Sequence, residues 1–175
     1  MRNFLLLIGL ATATPATAEI VSVDAHGFEV RHTINLVVPQ AQAFTSFSQI
    51  RNWWSKDHTF SGNSANLSLE MRPGGCLCER IDHGGGVEFM RVAFLQPGER
   101  VVLRGALGPT LFDANIAVMD VQVGRISGGS KITLTYRASG FDKGNGAELA
   151  PLVDQVLGEQ MKRLRTYAAR APKSR

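Results

Sequence analysis

The sequence predicts an α+β fold: a curved antiparallel sheet of about seven strands wrapped on one long C-terminal helix. Three observations carry this. From Phe28 to Val38 apolar and polar residues alternate without a break, the period of a half-buried strand. From Leu67 to Ser139 short alternating segments are separated by Gly- and Pro-rich turns too short for parallel crossovers, so the strands pair antiparallel. From Leu149 to Ala168 apolar residues recur at helical spacing.

The chain begins with Met1 and Arg2, the apolar run Phe4 to Ala11, and the small-x-small pattern Ala16-Thr17-Ala18. That is the order of a secretory signal peptide, cut near Ala18-Glu19. The run is well short of the roughly 20 apolar residues of a membrane span. Glu19, not Cys, follows the cut, so no stable membrane anchor is expected. The expected organisation is therefore a leader over 1–18 and a single domain over 19–175, periplasmic or secreted, with its closing helix over about 148–170.

In the domain, Phe28, Val30, His32, Ile34, Leu36 and Val38 fall on one face of the first strand. Pro39 ends it and suits the first turn of a helix carrying Ala43, Phe44, Phe47 and Ile50, with a second short helical piece around Asn52 to Ser55. Six strands follow: Leu67 to Met71, Cys76 to Asp82, Val87 to Leu95, Arg100 to Leu107, Asn115 to Arg125 and Lys131 to Ser139. The closing helix sets Leu149, Leu152, Val153, Val156, Leu157, Met161, Leu164 and Ala168 on one face. Pro151 fits its first turn.

Composition is that of an ordinary globular domain, with 44% apolar residues and a net charge of +4 from 19 Lys and Arg against 15 Asp and Glu. That balance gives no reason to expect nucleic acid as a partner. The order of elements says more. Seven strands about 4.8 Å apart make a sheet roughly 30 Å wide, and one helix is about 10 Å across. The helix leaves part of the apolar face to short helices, loops or a ligand.

The element order, Trp53-Trp54 after the first helical segment, Pro73-Gly74-Gly75 before a strand, Gln96-Pro97 ending another, and the Leu-rich closing helix together resemble the START-like, birch-pollen-allergen-like (SRPBCC) superfamily. The resemblance runs from about Phe28 to Tyr167 and is nearest the branch described as polyketide cyclase/dehydrase or ATPase-activating co-chaperone-like. It implies a helix-grip fold with a cavity for a hydrophobic small molecule, and no particular reaction. An exported chain departs from the cytosolic pattern of many relatives, which argues against a co-chaperone role.

Three groups of residues are candidates for chemistry. Trp53, Trp54, Lys56, Asp57 and His58 form the first. Two adjacent tryptophans cannot both enter one core from a helix, so one is expected at the cavity mouth, and Asp57 beside His58 can orient an acid–base imidazole. Glu79, Arg91 and Tyr136 come from the strands, with Leu157 and Met161 from the closing helix. Glu79 shares strand parity with Leu77 and Ile81; if it points inward it needs a partner such as Arg91 or Arg104. Cys76 and Cys78 are the third group. Their Cα atoms on an extended strand would lie near 6.5–7 Å, at the edge of disulfide geometry. Inert thiols, a strained disulfide or redox pair, and a metal site needing further ligands all remain open, and no cofactor is expected. His32 reads as a core histidine.

The leading functional expectation is an exported domain that binds a hydrophobic small molecule or lipid between sheet and closing helix. The alternative is a cyclase-, dehydratase- or hydrolase-like enzyme using His58, Asp57, Glu79 or Tyr136 as acid–base groups in the same cavity. A third is a structural or partner-binding domain with a solid core and the cysteine pair as a redox handle.

Overall fold

The computed structural model describes residues 17–141 and 143–171. Residues 1–16 of the expected leader lie outside them, as do Lys173 and Arg175 of the basic tail. The strands are β1 (Thr17–Val23), β2 (Gly27–Leu36), β3 (Leu67–Leu69), β4 (Cys76–Arg80), β5 (Gly86–Gln96), β6 (Arg100–Gly105), β7 (Ile116–Ile126) and β8 (Gly129–Ser139). The helices are α1 (Gln40–Ser48) and α2 (Gly146–Arg170). All neighbouring strands pair antiparallel in the order β1-β2-β8-β7-β6-β5-β4-β3, so the first strand of the predicted series closes on the last. The α+β class and the sheet wrapped on a long terminal helix are as the sequence predicts.

Local differences from the expected elements have physical causes. The sheet has eight strands because β1 adds to the edge of β2. A register shift between Ile20 and Ser22 breaks its alternation, and Ile20, Val21 and Val23 are all exposed, so no period-2 pattern marks it. The expected second helical piece resolves into single 3-10 turns at Ile50–Asn52 and Lys56–His58, on either side of Trp54. Pro151 sits one turn deeper in α2 than expected, where it removes the bond its N–H would give the Ala147 carbonyl.

Alternation in β2 is complete: Phe28, Val30, His32, Ile34 and Leu36 are buried and the residues between them are not. β2 packs on α2, and Ile132, Leu134, Tyr136 and Ala138 of β8 belong to the same core. His32 is part of this core. Its Nε2 lies 2.9 Å from Asp154 Oδ1 on α2, and Gly158 makes room for the ring, since a Cβ there would sit 3.1 Å from Cε1.

Burial holds the His32 pKa below its usual 6.5, with Asp154 acting in the opposite direction. The unfolded imidazole therefore takes up its proton before the folded one as pH falls. The contribution to stability is complete above about pH 6.5 and declines from there towards the lower folded value. His32→Gln is expected to flatten the fall of Tm between about pH 7 and 5. A wild-type Tm already flat over that range would contradict the assignment.

Candidate functional site

The eight apolar positions of α2 do not all pack alike. Met161, Leu164 and Ala168 are fully buried in the core. Leu149, Leu152, Val153, Val156 and Leu157 instead border a hollow of about 440 Å³ between helix and sheet. Leu67, Leu77 and Phe89 form its sheet wall. Ile50, Trp54 and the segments 57–60 and 107–110 complete it. The volume falls in the range of small-molecule sites, and the few polar groups are Asp57, His58, Thr59 and Thr110.

Phe89 enters the hollow through a bulge. Across β4 and β5, Leu77 pairs with Met90 and Cys78 with Glu88, leaving Phe89 as an extra residue. Phe89 and Met90 are consequently both buried although adjacent. Phe60 stacks on Phe89 with ring centroids 5.9 Å apart, and Phe112 meets Phe60 edge-on at 5.8 Å. With Leu152, Phe60 and Phe112 are among the exposed large apolar side chains, which gives the hollow an apolar rim.

Both tryptophans are buried in one core with their rings edge-on at 5.6 Å, contrary to the expectation that only one could enter it. They follow the 3-10 turn Ile50–Asn52 and do not share a regular helix. Trp54 lines the hollow and its Nε1 donates to the His58 carbonyl at 3.0 Å. Trp53 turns into the core, donating to the Phe47 carbonyl at 3.2 Å. Asp57 and His58 both border the hollow but do not form a dyad. Asp57 Oδ2 accepts from the Ser55 hydroxyl at 3.3 Å, while His58 Nε2 faces Glu159 of α2 at 3.7 Å.

Glu79 points inward and is 2% exposed, but it stands outside the lining. Its partner is neither Arg91 nor Arg104: the carboxylate accepts from the backbone N–H of Phe60 at 3.0 Å and of Ser61 at 2.6 Å. Ser55 N–H, earlier in the same segment, donates to the buried Gln160 Oε1 of α2 at 2.8 Å. A loop that carries four lining residues is thus held to the sheet by Glu79 and to the helix by Gln160.

The other candidates divide. Leu157 lines the hollow; Met161 and Tyr136 are buried outside it. Burial pushes the Tyr136 pKa up, with the neighbouring Leu107 backbone and Thr110 side chain acting in the opposite direction. It is a buried neutral phenol. Arg91, expected among the ligand-binding residues, does not line the hollow. It lies on the outer face of the sheet, where its Nε donates to Glu88 at 2.7 Å and its guanidinium to the Gly74 carbonyl at 2.9 Å. Strand parity is the reason: Arg91 pairs with Cys76, which alternates with the inward Leu77 and Glu79.

Cys76 and Cys78 share that outer face and are joined by a disulfide, their Cα atoms 5.4 Å apart. The bulge beside Leu77 accompanies a separation shorter than a regular strand gives. Among the described residues, the two cysteines and Glu88 are the one group of three placed closely enough to hold a metal ion.

No family model matches the chain, and no curated protein is similar to it. Solved structures are. An uncharacterised protein from Rhizobium leguminosarum matches with a TM-score of 0.58 and 19% identity, over 90% of this chain and all of that one. Mll3558 of Rhizobium loti gives 0.57 and 20%, over 87% and 99%. Ara h 8.0201 gives 0.55 and 14%, over 81% of this chain and 97% of its own. Identities this low speak to architecture alone, and they agree with the topology above: the chain adopts the helix-grip fold.

Proposed function

We propose that this chain is an exported domain that binds a hydrophobic small molecule or lipid in the hollow under α2. The observation that carries the reading is the divided helix stripe. Leu149, Leu152, Val153 and Val156 of α2 border a hollow and stay partly or fully exposed, while Leu157 closes its floor from the core, an arrangement that leaves apolar surface wet until a ligand covers it. His58, Asp57 and Thr110 suit a ligand with an apolar body and one polar end. Export rests on the leader sequence, and cleavage after Ala18 would leave Glu19–Val23 to pair with β2.

Solvent extraction and native mass spectrometry of the purified protein test the binding reading. A co-purifying apolar molecule, or a Tm raised by members of a fatty-acid and aromatic panel, is the expected result. Val156→Phe, which fills part of the hollow, is expected to weaken binding of an environment-sensitive apolar dye about tenfold, or about 1.4 kcal/mol, with the fold intact. Dye affinity unchanged in this variant would place the ligand elsewhere. For export, expression with the native leader should yield a mature chain beginning at Glu19 in the periplasmic fraction; an uncleaved cytoplasmic chain would reject it.

A further inference from the structure

The cysteine pair stands on the opposite face of the sheet from the hollow, and the binding reading makes no use of it. We propose that Cys76 and Cys78 form a thiol–disulfide exchange site whose reactant is a dithiol, with Arg91 and Glu88 setting its reactivity.

The bond is poorly suited to be a structural staple. Cross-linking residues two apart removes little freedom from the unfolded chain, and β4 is already held by β3 and β5. Both cysteines are half-buried on an outward face, so an incoming thiolate can reach them. The surrounding charges are asymmetric. Arg91 lies directly across from Cys76 on β5, and Glu88 directly across from Cys78. Side chains in such cross-strand pairs are nearest neighbours.

Of the remaining polar groups on this face, Arg104 of β6 pairs with Arg91 and adds positive charge on the Cys76 side. Ser68 of β3 pairs with Cys78 and carries no charge. Arg80 is the next outward residue along β4 and is exposed. Glu70 and Arg72, in the turn before Cys76, pair with each other at 2.7 Å. Arg91 holds Glu88 through both carboxylate oxygens, and a Glu88 oxygen lies within 4.8 Å of the two sulfurs. Paired across from Cys76, the guanidinium favours a thiolate there, partly offset by the Glu88 carboxylate it holds, which lies close to both sulfurs and disfavours a thiolate on either.

The chemistry follows. One thiolate of the dithiol attacks Cys78 Sγ, forming a mixed disulfide. The Cys76–Cys78 bond breaks, and Cys76 leaves as the thiolate facing Arg91, the better leaving group. The second thiolate of the same dithiol then attacks its own mixed-disulfide sulfur and displaces Cys78 as a thiolate. The dithiol is oxidised to its disulfide, and the protein is reduced by two electrons, its two thiolates taking up the two protons lost by the dithiol.

Dithiothreitol serves as the probe dithiol on the intact purified protein, with alkylation and mass measurement as the readout. Complete reduction, re-oxidation by glutathione disulfide, and faster alkylation of Cys76 than of Cys78 are expected. Arg91→Gln should slow reduction several-fold and Glu88→Gln should accelerate it several-fold. Circular dichroism and dye binding should be unchanged in both. Opposite shifts are the signature of charge acting on the sulfurs. Shifts in the same direction, failure of the bond to re-form, or one equivalent of zinc retained by the reduced pair through dialysis would each overturn the proposal.

Discussion

Glu79→Ala is expected to lower Tm by roughly 5–15 °C and to weaken apolar dye binding more than tenfold. The carboxylate accepts two backbone N–H bonds, from Phe60 and Ser61, inside a site that is 2% exposed. Hydrogen bonds to a charged group contribute about 1.5–3 kcal/mol each, and part of that is offset when the buried charge is removed. A net cost of about 2–4 kcal/mol follows, which at roughly 2–4 °C per kcal/mol for a domain of this size gives the stated range. Binding suffers because Thr59 and Phe60 line the hollow and lose their anchor. Glu79→Gln should fall between: its amide offers one acceptor oxygen and turns N–H groups towards an N–H donor. A Glu79→Ala protein with unchanged Tm and dye affinity would show that the loop is held by something else. The same geometry argues against Glu79 as an acid–base group, since both oxygens are engaged by backbone donors outside the lining.

The fold is legible wherever one face of an element is buried, because burial imposes a period. Gly27–Leu36 alternates in the structure as in the sequence, and Leu149 to Ala168 forms the predicted helical stripe. Periodicity does not record what an apolar face is buried against. Val153 and Leu164 belong to one stripe, yet the first borders a hollow and the second the core. The bulge that brings Phe89 inward is invisible too, because one extra residue changes the parity without any distinctive residue type. Arg91 departs from expectation for a related reason: its charge and strand membership are readable, but its face depends on pairing with Cys76. Glu79 points inward as its parity indicates, yet its partners are not readable, because backbone N–H groups leave no trace in side-chain identity. The Gly108-Pro109 turn is visible as a turn, and nothing local marks it as a wall of the hollow.

Gly105→Ala is expected to destabilise the protein by about 3 kcal/mol or more and to disrupt the hollow from a position that does not line it. Gly105 ends β6 with φ at +153°, a conformation that costs any residue with a side chain. An added Cβ would also overlap the Phe89 carbonyl oxygen and come within 2.7 Å of Met90 Cα. Both are backbone atoms of the bulged strand, so no rotamer change relieves the overlap. β5 and β6 must separate there, which threatens the bond from Ala106 N–H to the Phe89 carbonyl and moves the Phe89 ring that forms the sheet wall. Gly98, in the turn of the same hairpin, supplies the comparison. Its φ is also positive, at +81°, but a Cβ there meets nothing within 4 Å. Gly98→Ala should therefore show only the backbone penalty, about 1–2 kcal/mol, with dye binding retained. Equal losses of Tm in the two variants would mean that β5 and β6 yield freely at the bulge, and that Phe89 is not held in place by close approach of the two strands.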